Sequence, residues 1–502
     1  MSTPTQDRMR ALSGQHYIHG QFLAGTGATH PITDPASLEH LGHYADATEA
    51  EVNQAVACAR AAQRDWWALS STERAEALHA VANRMEAIAA EVGECLTREM
   101  GKPYREAHWE AGASASAFRY YAELARHDQG RVAGPAVAGQ WHMTFKEPLG
   151  TIVSIVPYNF PALLFGWQAA AALAAGNAVI VKPSELTSLT LLMLMEAFAE
   201  LPPGLVQLLT GGAAVGAQLV AHEHTHGIAF TGSVRAAQAV AKAAAERFKP
   251  VLSEASGNDP FIVMPSAPVE VVARGAAFAA FLNCGQVCTS AERFYVHEAV
   301  YEPFVQALTR HAQALRLGHG LDKVDMGPLA NERELLRVER VLARAVEQGA
   351  VVRCGNRRPP QLNKGWFWEP TVLEVRHDME IMHQEIFGPI APVCKVASLD
   401  EAIRYANDSE FGLGANIYTH DLNEAMRAVA EIESGIVWVN TPLNDNDCVP
   451  FGGRKMTGSG RELGAEGLEQ FRRSKMVMMA PQALDDEEWF PYPDADAFGM
   501  KD

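Results

Sequence analysis

The sequence predicts an α/β protein built on parallel sheets, and three observations carry that prediction. Short apolar runs alternate with helix-length periodic segments from about residue 148 onward. A second alternating block begins near residue 260, where the first one ends. The chain of 502 residues, 48% hydrophobic and 20% charged, is long enough for two or three ordinary domains with large cores.

Taken in order, residues 46–126 read as helical, with periodic segments such as TEAEVNQAVACARAAQRDWWAL. The first alternating block then runs strand GTIVSIVP, helix 162–175, strand NAVIVKP, helix 186–199, strand VQLLTG, helix 214–221, strand GIAFTG, helix 234–247 and strand PVLSEA. The second runs PFIVM, helix 268–282, RFYV, helices 299–316 and 332–349, WFWEPTVL, helix 400–407, GANIYT, helix 422–432 and GIVWVN. Residues 148–181 hold no charge and are long enough to span a bilayer. Pro157, Asn159, Pro161, Gln168 and Asn177 interrupt them, so buried strand, loop, helix and strand are expected instead.

The net charge of −18 argues against nucleic acid or an anionic membrane surface as partner. Seven scattered cysteines do not make a disulfide framework and suit a reducing compartment. The N-terminal stretch has no apolar core of a secretory signal, so a cytoplasmic protein is expected.

Parallel sheets bind ligands beyond the carboxyl ends of their strands. Those ends carry VPYNFP, VKPSE, LTGGAAVG and FTGS. In FTGSVRAA a strand enters a helix through Gly232 and Ser233; the free N–H groups suit a pyrophosphate, and equally suit a plain turn. Lys182 and Glu185 read either as a surface ion pair or as a ribose site. Glu254, in LSEASGNDP, reads as a general base or as a solvated turn residue. FLNCGQVCTS, residues 281–290, places Cys284 and Cys288 four residues apart. Nearby Cys or His to complete a zinc site is lacking, so no metal is expected. Buried filler and a reactive thiolate both remain open.

Together these motifs resemble one family, the NAD(P)-dependent aldehyde dehydrogenases. FLNCGQVCTSAER resembles the family's cysteine motif, and the Glu254 segment, thirty-four residues upstream, its glutamate motif. PYNFP, KPSE, FTGS, EIFGP, NDSEFGLGANIYT and PFGGRKMTGSGRELG follow in family order, so the resemblance runs from residue 16 to about 478. It implies a Rossmann-like nicotinamide-binding domain (1–125 and 148–255), an α/β catalytic domain (256–465) and a small β arm with a C-terminal tail (126–147 and 466–502) that joins a homodimer or homotetramer.

The resemblance also implies roles. Cys288 is the nucleophile, Glu254 the general base, and Asn159 with the Cys288 N–H the oxyanion hole. Lys182 and Glu185 hold the adenosine ribose, Ser233 the pyrophosphate, Glu385 and Phe387 the nicotinamide half, with Pro157 beside the cofactor. Glu462 matches a second carboxylate behind the base. Phe160, Leu164, Trp167, Val287, Thr289 and Phe451 match channel-lining positions; none is an Arg, which argues against a dicarboxylic semialdehyde. Asp445 and Asp447, before Phe451, are either solvated or attract an amine- or hydroxyl-bearing aldehyde. The implied reaction oxidises an aldehyde to its acid with NAD, NADP being disfavoured by Glu185, through a cysteine thioester. Alternatives are a CoA-acylating relative, which usually lacks the glutamate, and a non-catalytic binding protein.

The sequence departs from the family at four places. Tyr158 stands for the usual Trp, and Ser256 follows Ala255 where the family has E-L-G-G, crowding the nicotinamide side. Gln168 replaces a common lysine nine residues after Asn159, so a relay through that lysine cannot operate. Cys284 is an unusual occupant whose disulfide with Cys288 would be a redox shield. The acidic, aromatic tail carrying Trp489, Phe490, Tyr492 and Phe498 is expected to dock on its own or a neighbouring subunit.

Overall fold

The computed structural model describes residues 3–127, 129–483, 485, 489 and 490. Tyr492 and Phe498 of the tail lie outside the described residues, while Trp489 and Phe490 are 58% and 82% exposed. The predicted helical region forms three helices, Glu49–Ala68, Ser71–Met100 and Tyr104–His127. Thr48 with Glu51, and Ser70 with Glu73, form reciprocal caps that start the first two. Gly101, at φ +96, ends the second in the left-handed conformation that a side chain resists.

The first sheet has eight strands. Its centre is five parallel strands in the order Val206–Leu208, Ala178–Lys182, Thr151–Ile155, Gly227–Thr231 and Val251–Glu254. In chain order this is 3-2-1-4-5, the doubly wound arrangement in which connections leave in opposite directions from the first strand. The antiparallel hairpin Gln15–Ile18 and Gln21–Ala24 extends one edge, and Gly458–Ser459 pairs antiparallel with Ser253 and Glu254 at the other. The charge-free stretch is strand, buried helix Pro161–Ala174 and strand, as expected. That helix is apolar on every face because sheet and helices enclose it. Its N-terminus is met by the buried Glu110 carboxylate, which accepts from the N–H groups of Ala162 and Leu163 at 2.9 and 3.3 Å. Among the described residues no helix is both long and apolar enough to cross a membrane.

A second sheet of seven strands follows. Thr371–Val375, Ile390–Val396, Ala291–His297, Asp259–Val263, Asn416–Tyr418 and Trp438–Val439 are parallel neighbours in that order, and Val351–Cys354 adds an antiparallel edge. Three departures from the sequence reading occur here, the first being the edge strand Val351–Cys354 itself. Ile390–Val396 was not expected, yet it sits near the centre; Pro392 interrupts its pattern and normally marks an edge. WFWEPTVL contributes only from Thr371 onward, since Pro370 delays the ladder. Each sheet has its own core, although Phe451, Leu463, Leu468 and Phe471 join the first core from late in the chain. The link from Glu254 to Asp259 carries the chain between the sheets, and the candidate residues gather around it.

A third sheet has three strands. Arg472–Met479 pairs antiparallel with Trp141–Pro148, which pairs with Gly130–Ala133. Met476, Met478, Trp141 and Phe145 on it are 48–71% exposed, and among the described residues one edge of Arg472–Met479 is unpaired.

Candidate active site

Order reversal in the first sheet opens a crevice at the carboxyl ends of Thr151–Ile155 and Gly227–Thr231. The loops leaving those ends carry Pro157 to Asn159 and Gly232 with Ser233. Asn159 is buried, and its side-chain Nδ2 donates to the Gln286 carbonyl at 3.2 Å, tying it to the loop that ends at Cys288. Its own carbonyl accepts from Lys102 Nζ at 2.5 Å and Asn283 Nδ2 at 3.1 Å. The Lys102 ammonium also bonds Glu110 at 2.6 Å and lies 3.7 Å from the Phe160 ring centroid. Two bonds therefore fix the Asn159 backbone and a third orients its side-chain amide, which preorganises that amide as a donor.

Cys288 is half-buried and Cys284 is fully buried. Asn283 and Cys284 adopt left-handed backbone at φ 51 and 57, followed by Gly285 at φ 71. This turn sends the Cys284 side chain into the second core, whereas Cys288 packs against the first. The shielding disulfide that their spacing leaves open is thus not supported: both thiols are free and belong to different cores. Glu254 is reached from Cys288 through Gly257, where an added Cβ would stand 2.1 Å from the Cys288 carbonyl oxygen. Only glycine permits that approach.

Carboxylates crowd this junction. Burial and then the charge of Glu462 push the Glu254 carboxyl well above its ordinary value, with Arg461 opposing. Burial pushes Glu462 to about 7. Cys288 is raised by desolvation, then by Glu254, Asp259, Asp445 and Glu385, so its resting form is the thiol. Gln168 occupies the place of the common lysine: its Nε2 donates to Glu462 at 2.8 Å and Thr231 Oγ1 at 3.0 Å, while its Oε1 accepts from Ser154 at 2.6 Å. The second oxygen of Glu462 has no hydrogen-bond partner among the described residues.

The positions expected to hold the cofactor lie at the carboxyl ends of strands in the same sheet. Lys182 is 6% exposed and lies 3.6 Å from Glu185. Asp46 joins them: it accepts from the Gly212 N–H at 2.9 Å and from His30 at 2.9 Å, and its charge acts on Lys182. A Cβ at Gly212 would meet both Glu185 and Asp46, at 3.7 and 3.8 Å. Ser233 caps helix Val234–Ala245, accepting from the Ala236 N–H at 3.4 Å and leaving that helix start at the crevice. A buried cation, paired acceptors and an open glycine turn fit the ribose and phosphates of NAD.

At the other end Glu385 accepts from the Gly257 N–H at 3.1 Å and from the Ser256 side chain. Ser256 therefore holds Glu385 rather than merely crowding it. Phe387, at φ 46, is fixed by its N–H to Glu292 at 2.7 Å and its carbonyl to Arg337 at 3.0 Å. Tyr158 meets it edge-on at 6.1 Å.

The expected channel residues Phe160, Leu164, Trp167, Val287, Thr289 and Phe451 are all buried, at 4–8% exposure. Trp167 and Phe451 contact at 5.1 Å between centroids, and the Phe451 backbone pairs with Glu462 in both directions at 2.7 and 2.8 Å. Of the two loop aspartates, Asp445 projects its charge onto Glu254 and Cys288, and Asp447 bonds Ser116. Sequence reasoning missed Asp46, Lys102, Glu110 and Glu292. Glu292 alone had a local signal, being the Glu of SAER; its carboxylate binds the N–H groups of Ile386 and Phe387 and the Asn258 amide. Elsewhere, His377, His383 and Asp408 bring polar atoms within 4.8 Å at the surface, where His377 already bonds Tyr295 and Asp408 through its two ring nitrogens.

The profile of the Aldehyde dehydrogenase family matches residues 22–477. A peroxisomal aminoaldehyde dehydrogenase of Malus domestica is 36% identical over 473 residues, covering 91% of this chain and 93% of that one. A 3,6-anhydro-L-galactose dehydrogenase solved in complex with NAP superposes with a TM-score of 0.90 at 37% identity, covering 93% and 100%. Betaine aldehyde dehydrogenase from Staphylococcus aureus, solved with NAD+, gives 0.92 at 29% identity over 97% and 99%. With the motifs in register and the fold shared end to end, the chain belongs to the aldehyde dehydrogenase family.

Proposed function

We propose that Cys288, Glu254 and Asn159 are the groups with which this NAD-dependent aldehyde dehydrogenase converts an aldehyde to its carboxylic acid. One observation carries the assignment: Asn159 is bonded to the loop of Cys288, and the Glu254 loop packs on the Cys288 carbonyl. The Cys288 thiol releases its proton to solvent, and the thiolate adds to the carbonyl carbon, whose oxygen takes the negative charge. Asn159 Nδ2 and the Cys288 N–H donate to that oxyanion, a type of contact worth about 2.7–4 kcal/mol. NAD, when bound, supplies the hydride acceptor and carries a positive ring charge. Cys288 is left as a thioester. Glu254 then removes a proton from water, which attacks the acyl carbon and frees the acid and the thiol. A raised carboxyl suits this work, because it is a stronger base than an exposed glutamate.

Glu254 argues against release of the thioester to CoA. Lys182 and Glu185, with Asp46, take the adenosine ribose in this reading, Ser233 the pyrophosphate, and Glu385, Phe387 and Pro157 the nicotinamide half. Two carboxylates beside Gly212 support NAD over NADP, since a 2′-phosphate would face both. A domain division near 255 is supported by the separate cores, although Val287, Leu413, Phe451 and Leu463 of 256–465 pack in the first one, and an oligomerising arm by the exposed methionine-rich edge of Arg472–Met479. The free cysteines support a reducing compartment, as in cytoplasm.

The test is transient kinetics. Glu254→Gln should give a burst of about one NADH per active site, followed by steady turnover reduced roughly 10²-fold or more. Cys288→Ser should give neither. Normal turnover in Cys288→Ser refutes the assignment.

A further inference from the structure

A cavity of about 690 Å³ opens between helix Tyr104–His127, helix Val269–Phe281 and the loop at Leu443. That volume is in the ordinary range for small-molecule sites, about 300–1,000 Å³. Its walls include Phe160, which follows Asn159 directly, and Leu282, which opens the turn leading to Cys288. Of the channel residues Phe160 alone is among its walls, while Trp109, Phe278, Arg105 and Arg274 on the other walls are exposed, so the cavity runs from Phe160 to the surface.

The outer walls combine apolar and cationic groups. Trp109 and Phe278 are 56% and 50% exposed, a cost in water that an apolar ligand would remove. Arg105 and Arg274 stand on the two flanking helices, and neither has an ion pair or side-chain hydrogen bond among the described residues. The acidic wall residues do not offset them. Glu106 accepts from the Asn283 N–H at 3.1 Å, and burial pushes its carboxyl to about 7. Asp325 is engaged by Arg316 through two bonds of 2.8 Å.

We propose that this cavity is the outer part of the aldehyde channel, and that Arg105 and Arg274 select aldehydes bearing a carboxylate or sulfonate at the end remote from the carbonyl. The proposal rests on the reading of Cys288 as nucleophile. It also refines the expectation drawn from an arginine-free channel. A short dicarboxylic semialdehyde would leave its charge among Phe160 and its apolar neighbours, which is unfavourable. A longer aromatic or aliphatic body fills the apolar walls and carries the anion out to the guanidinium groups, which bind carboxylates in bidentate geometry.

The experiment compares 4-formylcinnamate with its methyl ester in the full-length enzyme. Wild type should show kcat/KM at least tenfold higher for the acid, with the advantage shrinking as salt rises. Arg105→Gln with Arg274→Gln should lower the acid's kcat/KM at least tenfold, mainly through KM, and leave the ester within twofold. Both arginines are exposed, so the fold should tolerate the change. Equal use of acid and ester by wild type, or an acid preference that survives the double variant, overturns the proposal while leaving aldehyde oxidation intact. Failure of every aldehyde to yield NADH would overturn the functional reading beneath it.

Discussion

Gln168→Lys asks what the missing cation does to the carboxylate pair. In wild type Gln168 reaches Glu462 at 2.8 Å as a neutral donor, and Glu462 in turn raises Glu254. Two unit charges about 4 Å apart interact by about 4 kcal/mol at an effective dielectric of about 20. An ammonium there would thus favour the ionised Glu462 by up to about three pH units, at 1.36 kcal/mol for each. Glu254 lies one carboxylate further away and has two opposing effects. It gains attraction to the new cation, and it keeps repulsion from a Glu462 now ionised at lower pH. We expect attraction to lead by about one unit, because the Glu462 charge already acts on Glu254 in wild type and the ammonium is the one charge added. The assay is kcat against pH, from about pH 5 to about 9, under conditions where deacylation limits. Wild type should gain activity with rising pH through a midpoint above the ordinary carboxylate range. Gln168→Lys should move that acid limb to lower pH, and Gln168→Met, which removes the donor to Glu462 and so keeps that carboxyl neutral to higher pH, should lower it less, by lifting its repulsion of Glu254. Both variants leave Ser154 and Thr231 short of a partner, costing about 1–3 kcal/mol of stability for each unsatisfied group. An acid limb that stays in place in both would refute the coupling of Glu462 to the base.

Other outcomes follow from the same geometry. NAD should be preferred over NADP at least tenfold in kcat/KM, about 1.4 kcal/mol; Glu185→Gln should narrow the ratio without reversing it, because Asp46 remains beside Gly212. Equal use of both cofactors by wild type would show that neither carboxylate faces the ribose. Cys284→Ser should keep most activity but lose about 1–3 kcal/mol of stability in denaturant unfolding, since a hydroxyl replaces a thiol in the second core. Recovery from peroxide on adding thiols should be the same in Cys284→Ser and wild type. A difference would mean that the two sulfurs meet.

How much of this was legible in the sequence depends on the reach of each signal. Strands and helices of the first block were readable because buried parallel strands are continuous apolar runs bounded by Gly, Pro and Asn, as in NAVIVKP. Ile390–Val396 was not, because Pro392 breaks the run and its place beside Ala291–His297 is set by tertiary pairing. The site divides in the same way. Cys288, Glu254 and Glu385 each sit in a compact motif whose neighbours must be small or turn-forming, so local sequence marks them. The groups that hold them do not. Lys102 reaches Asn159 across 57 residues, Gln168 reaches Glu462 across 294, and Asp46 reaches Gly212 across 166. A buried polar side chain needs a partner, but its sequence carries no mark of which partner the fold will supply. The two cysteines of FLNCGQVCTS show the limit most sharply. Their spacing allowed a disulfide, a filler and a nucleophile alike. The left-handed turn at Asn283–Gly285 separates these readings by aiming one thiol into each core, and only the thiol at the junction of the sheets shares its surroundings with Glu254.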